Sequence, residues 1–339
     1  MNKERFYQFL QKIPKAELHI HIEAVITLES IKKLYQKRFN KPMTQEEQDS
    51  LFAYEDLKGF IDSFLKVQDL FIDISDFDLV FDDFAKYLVE NGITHCEAFF
   101  APSAFLKKGF AYQEMVDNFS KNIAKIKKEH NITIKLMADV SRTFGLENAI
   151  ANYENFTHHP SSDIIGIGLG GNEEKGPCNL FGPVFEKAHM EHYHAVAHAG
   201  EDVGPESIKD AIHILNSERI GHGITAIQDE KLLEELKEKQ IPLEICPTSN
   251  IFTKKIVREM KNHPVRAFFD KGLFVTINTD DPVFFKTTLL DEYWSLYKEL
   301  GFTMDEIKIL IQNSFKASFL PGSEKAKYLE AIDSAWKSA

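Results

Sequence analysis

Short apolar or β-branched runs recur along the chain, most of them closed by a Gly, His, Asp or Asn and followed by a longer segment of helical periodicity. The candidate strands are residues 18–22, 95–100, 134–140, 164–169, 194–198, 219–221, 242–246 and 273–278. Amphipathic stretches between them, such as 113–128, 205–216, 229–239 and 303–315, predict helices, several with a polar residue at the start. Eight strand–helix alternations without a Pro/Gly/Ser linker predict one α/β domain over residues 1–339, a (β/α)8 TIM barrel, with an open doubly wound sheet as the alternative. A Gly-x-Gly-x-x-Gly spacing occurs at Gly166, Gly168 and Gly171, but it sits on the fourth strand and opens no helix, so it makes a poor dinucleotide fingerprint.

The segment from about 27 to 91 is too long for one crossover helix and predicts an extra helical insertion that packs, lid-like, over one end of the barrel. Its Phe60, Phe64 and Leu65 stand at helical spacing; they read first as core and second as a lid.

In a barrel the chemistry sits at the C-terminal ends of the strands. Strand one carries His19-Ile20-His21, and the two-residue period of a strand points both imidazoles to one face. An H-x-H is expected about 0.5 times by chance at this histidine content, so alone it decides nothing. Strand five, however, ends His198-Ala-Gly-Glu201, strand six Gly221-His222-Gly223, and strand eight Thr279-Asp280-Asp281-Pro282, all at the same end. Three imidazoles and a carboxylate suit Zn²⁺ with a position open for water, which assigns His19, His21, His198 and Asp280 as ligands.

A bound water still needs aiming, for which His222 and Asp281 are available, and Glu201, dried by burial, would serve as a protonated general acid. The plain alternatives are a helix-start acid for Glu201, a structural histidine for His222 and a solvated turn for Asp280-Asp281. The remaining histidines singled out, His130, His158, His159, His192, His213 and His263, read as surface residues.

Forty Lys+Arg against 52 Asp+Glu give a net charge of −12, which repels polyanions and argues against nucleic acid as the partner. Cys96, Cys178 and Cys246 lie far apart with no C-x-x-C pair, as expected of a reduced, cytoplasmic protein. The N-terminus lacks an apolar targeting core and no run is apolar enough to span a membrane. A small molecule is the expected partner; the oligomeric state is left open.

The ordered motifs Pro14-Lys-Ala-Glu-Leu-His19-Ile-His21, Gly168-Leu-Gly-Gly171-Asn-Glu173, His198-Ala-Gly-Glu201, Arg219-Ile-Gly-His222-Gly223, Cys246-Pro-x-Ser249 and Asn278-Thr-Asp280-Asp281-Pro282 resemble the adenosine and adenine deaminase family of the amidohydrolase superfamily over nearly the whole chain. The resemblance implies one Zn²⁺ on His19, His21, His198 and Asp280, and hydrolytic attack on C6 of a 6-aminopurine with loss of ammonia. It implies that Glu201 protonates N1, that His222 assists the attacking water, that Asp281 shuttles a proton and that the Gly171 backbone N–H meets N3. Strand four has no lysine for a bridging carbamate, so a single metal is expected.

Two departures bear on the substrate. Ile22-Glu23-Ala24 replaces the Leu-Asp-Gly usual in adenosine deaminases, and strand two, Glu97-Ala-Phe-Phe-Ala-Pro102, lacks their arginine. Glu23 is then expected on the ribose side of the pocket, or behind His21 as its orienting carboxylate. Weighing these against motifs nearer the nucleoside enzymes, adenosine or 2′-deoxyadenosine is the expected substrate. Adenine and a modified adenosine such as 6-aminodeoxyfutalosine are the alternatives, and a non-catalytic binding or growth-factor-like protein on the same fold is the alternative of another class.

Overall fold

The computed structural model describes residues 1–54, 57–253 and 256–338. Eight parallel strands pair in chain order: β1 (Lys15–Glu17), β2 (Ile93–Phe100), β3 (Thr133–Asp139), β4 (Ile164–Leu169), β5 (His194–Ala199), β6 (Arg219–His222), β7 (Leu243–Ile245) and β8 (Val275–Ile277). An Ile20–Asp280 bridge joins the last strand's end to the first, so the sheet curls into the predicted (β/α)8 barrel. Helices Tyr112–His130, Glu206–His213, Glu230–Lys239 and Met304–Ala317 stand where periodicity puts them, the last opened by a Thr303/Glu306 capping box.

The first strand differs from expectation. Its ladder ends at Glu17, not at residue 22, because the next backbone groups find other partners: Leu18 N–H donates to the Asn278 side chain, and residues 22–25 turn into a 3-10 helix. Residues 19–21 stay extended nevertheless. His21 N–H donates to the Asp280 carbonyl and Asp280 N–H to that of His19, which fastens both histidines to the end of the eighth strand.

Between β1 and β2 the chain inserts α1 (Leu28–Phe39), α2 (Gln45–Leu51), α3 (Leu57–Gln68) and α4 (Phe77–Glu90); residues 55 and 56 of the expected insertion lie outside the described residues. Its aromatic stripe is both core and lid. Phe60 is buried against Phe285, with ring centroids 4.9 Å apart, and Phe64 meets Phe284 at 5.6 Å, while Phe60, Phe64 and Leu65 line a cavity at the barrel mouth. Leu65 is exposed, so the core-first reading does not hold for it.

The barrel interior is layered. A small apolar plug of Phe99, Met137 and Val196 lies among polar side chains, chiefly Arg219 with Glu97 and Glu244. Among the described residues no helix is long and apolar enough to cross a membrane.

Candidate active site

The side chains predicted at the strand ends converge. His21 Nε2 lies 3.3 Å from His198 Nε2 and 3.2 Å from Asp280 Oδ1, and His19 Nε2 is 3.5 Å from the same oxygen. His222 joins from the sixth strand, its Nε2 3.9 Å from Asp280 Oδ2 and 3.4 Å from Glu201 Oε2. Non-glycine residues hold left-handed backbone at two of these positions, His222 (φ 62°) and Asp280 (φ 67°), strain that clusters at functional turns.

Each group has a dedicated support. Glu244 Oε2 accepts from His19 Nδ1 at 2.8 Å, which leaves the buried Nε2 without a protein partner and its lone pair aimed at the cluster. Ser249 Oγ donates to Asp280 Oδ2 at 2.7 Å, which gives the Cys-Pro-x-Ser motif its role. Glu173 accepts from the backbone N–H groups of Gly200, Glu201 and Asp202 at 2.8–2.9 Å and from Ser207 Oγ at 2.6 Å, so one carboxylate fixes the turn that presents Glu201. Arg142, itself buried, donates to the His198 carbonyl at 2.5 Å.

Burial, with His19, His222 and His21 close by, drives His198 well below the ordinary imidazole range, so it is neutral. Burial would raise Asp280, but the imidazoles of His19 and His21 hold it well below the usual carboxylate range. Burial would lower those two, but Asp280, together with Glu244 at His19 and with Asp139 and Glu23 near His21, raises them. Thus the centre attracts positive charge. Its neighbours go the other way: burial and the surrounding acids push Glu201 far up, and burial with Asp280 does the same to Asp281, which favours the protonated form of each.

A chain of hydrogen bonds sets the tautomer of His222. Val265 N–H donates to His263 Nδ1 at 3.1 Å, so the proton of that neutral ring sits on Nε2 and goes to Asn250 Oδ1 at 3.3 Å. The Asn250 amide N–H then donates to His222 Nδ1 at 3.0 Å, and His222 carries its proton on Nε2, facing Glu201 and Asp280. Burial lowers both imidazoles to about 3, so neither takes a second proton. The surface reading of His263 is therefore wrong: it is 3% exposed, whereas His130, His192 and His213 are exposed as expected.

The cavity over this cluster has a free volume of about 180 Å³. His21, His198, Glu201, His222, Asp280 and Asp281 form its base, α3 and Phe285 its roof, and Ala101, Ser103, Asp139, Ser141, Thr143 and Gly171 its far wall. Gly171 has φ 104°, and a Cβ there would come within 2.2 Å of Thr143 Oγ1, so glycine is required. Glu23 is placed one layer back. One oxygen accepts from Ala101 N–H at 2.7 Å and the other is buried without a partner, so this geometry makes no direct contact of Glu23 with the cavity.

Asn250, His263, Glu244 and Asp139 were missed in the sequence. A polar residue at the end of a predicted strand was signal enough for Asp139; nothing local marked the others.

A parallel eight-stranded barrel with imidazoles and carboxylates at its C-terminal mouth is an amidohydrolase-type hydrolase fold. More narrowly, the chain belongs to the adenosine deaminase family, whose sequence model matches residues 14–335. It is 32% identical over 329 residues to an adenine deaminase of Psychrobacter cryohalolentis, with 96% of this chain and 98% of that one covered. It is 33% identical over 337 residues to an aminodeoxyfutalosine deaminase of Streptomyces avermitilis, covering 97% and 94%. The solved adenine deaminase of Arthrobacter aurescens superposes with a TM-score of 0.88 at 28% identity, covering 96% of this chain and 100% of that one. The chain is a hydrolytic deaminase, and its family acts on purines.

Proposed function

We propose that the chain deaminates free adenine at one Zn²⁺ held by His19, His21, His198 and Asp280. The observation that carries the reading is the cavity itself. Glu201 and Asp281, whose protonated forms burial favours, flank the metal cluster, and among the described residues no Lys or Arg lines the walls. Among the described residues a phosphate therefore meets no cation there, which disfavours nucleotides. Its volume of about 180 Å³ falls below the ~300–1,000 Å³ of pockets for larger ligands, which favours a base over a nucleoside. The set-back Glu23, the missing strand-two arginine and relatives named adenine deaminase weigh the same way, so the initial preference for adenosine gives way.

The donor set fits the metal: neutral His198, the orphaned His19 Nε2 and an ionised Asp280 converge, with His19 braced by Glu244. Zinc, when bound there, would supply a water of lowered pKa as the nucleophile for C6. The protein supplies the rest. Glu201 donates its proton to N1 as attack pushes electron density onto the ring, and the His222 Nε2–H stabilises oxygen charge as a donor rather than removing a proton. Asp281 gives its proton to the departing amine and, then ionised, takes the proton that the oxygen on C6 loses as the carbonyl forms; Glu201, ionised once N1 is protonated, regains its proton from the next water, and Gly171 N–H meets N3.

Zinc-loaded protein assayed for ammonia release from adenine, adenosine, 2′-deoxyadenosine, AMP and 6-aminodeoxyfutalosine tests the proposal. Adenine should give the highest kcat/KM, and His19→Ala should lose metal and activity together. A preference for adenosine would overturn the base assignment; full zinc and full rate in His19→Ala would overturn the site.

A further inference from the structure

We infer that Asp139 selects the substrate by accepting a hydrogen bond from the N9–H of the free base, at the purine edge opposite the reacting carbon. This rests on the 6-aminopurine reading above and extends it to a residue outside the metal and proton-transfer groups.

Asp139 ends β3, is 5% exposed and lines the cavity. Its Oδ1 accepts from Ser141 N–H at 2.6 Å and Gly170 N–H at 3.0 Å. Ser141 is held left-handed at φ 56°, so the carboxylate pins a strained turn and is itself fixed in direction. Among the described residues the second oxygen, Oδ2, has no hydrogen-bond partner, and no Lys or Arg of theirs lines the cavity to pair with it. A carboxylate oxygen at the cavity without a protein donor is free to accept an N–H or O–H from a bound ligand.

Ring geometry says which donor arrives. With C6 at the His/Asp cluster, the nitrogens on either side, N1 and N7, fall to the ends of β5 and β8, at Glu201 and Asp281. The opposite edge, bearing N3 and N9, turns to the ends of β3 and β4. There Gly171 offers an N–H for N3, and Asp139 an acceptor for N9, the nitrogen that carries hydrogen in the major tautomer of free adenine. A nucleoside has carbon at that atom and brings Asp139 no ring donor. The pattern of donors and acceptors around the cavity therefore matches the free base at every ring nitrogen.

Asp139→Asn isolates the contact. The amide oxygen keeps the bonds to Ser141 and Gly170, while the NH₂ group turns a donor toward N9–H. Zinc-loaded wild type and variant are compared on adenine and on 9-methyladenine, which has no N9–H; where the latter turns over too slowly, its inhibition constant against adenine supplies the comparison. The variant should lose roughly 10- to 100-fold in kcat/KM for adenine, mostly through KM, and stay within about 3-fold of wild type on 9-methyladenine. Zinc content and melting midpoint should not move.

Equal losses on both substrates would make Asp139 a brace for the turn and overturn the inference, as would an unchanged rate on adenine. A wild type that releases ammonia from adenosine but not adenine overturns this inference while leaving a purine deaminase; one that acts on no 6-aminopurine overturns the parent reading as well.

Discussion

The mouth of the barrel and the layer beneath it both bury charged side chains, and they treat charge in opposite ways. Beneath, Arg219 bridges two carboxylates, with Nε 2.5 Å from Glu244 and Nη1 2.5 Å from Glu97, and His95 adds a contact to Glu97 at 3.0 Å. Burial would raise Glu97, but Arg219 and His95 hold it down at about 2. At the mouth, Asp139, Glu201, Asp280 and Asp281 share one cavity with no Lys or Arg among the described residues of its lining, and burial pushes the carboxyls of Glu201 and Asp281 up. The lower layer satisfies its charges within the fold; the mouth leaves them for a metal ion and a substrate. Glu244 joins the two layers through His19.

The largest effect should come from breaking the lower layer. Arg219→Ala leaves Glu97 and Glu244 buried without their cation and should cost about 3–5 kcal/mol of stability, read by urea or thermal denaturation. Metal affinity should fall with it, because His19 depends on Glu244. A variant within about 0.5 kcal/mol of wild type, the range of an ordinary surface substitution, would show that the layer's charges are not what holds it.

Glu201→Gln makes the complementary test. Burial favours the neutral carboxyl, so an amide of equal size should leave stability within about 0.5 kcal/mol and keep the metal. The proton donor is lost, and kcat should drop by roughly 10²-fold or more. A stability loss comparable with that of Arg219→Ala would mean that the mouth, too, is held by its charges.

The two layers also differ in how far the sequence reveals them. The mouth was legible because strand ends concentrate polar residues after apolar runs, so His19, His21, His198, Glu201, His222, Asp280 and Asp281 declared themselves by position. The lower layer was not: Arg219 meets Glu97 across 122 positions and Glu244 meets His19 across 225, and nothing local pairs them. The barrel itself followed from alternation, whereas the end of β1 was misplaced because an apolar run does not reveal that its hydrogen bonds go to a side chain. Glu23 illustrates a further limit, since spacing put it near His21 without telling which side of the cavity wall its carboxylate would occupy.

The smallest effect expected, and the finest test of the contrast, concerns His263, which is not among the proposed metal ligands and does not line the cavity. Through Asn250 it decides which nitrogen of His222 carries the proton. His263→Leu removes the donor that orients the Asn250 amide; the amide is then free to flip and present its oxygen to His222, which moves the ring proton to Nδ1 and takes the donor away from the reacting centre. The expected loss is about 10-fold in kcat, below that of a direct proton donor, with KM and zinc content little changed. His263→Gln, whose amide N–H can still reach Asn250 Oδ1, should recover part of the rate. Equal kcat in the Leu and Gln variants would reduce His263 to a packing residue, and with it the claim that the mouth is organised by hydrogen-bond direction where the layer below is organised by charge.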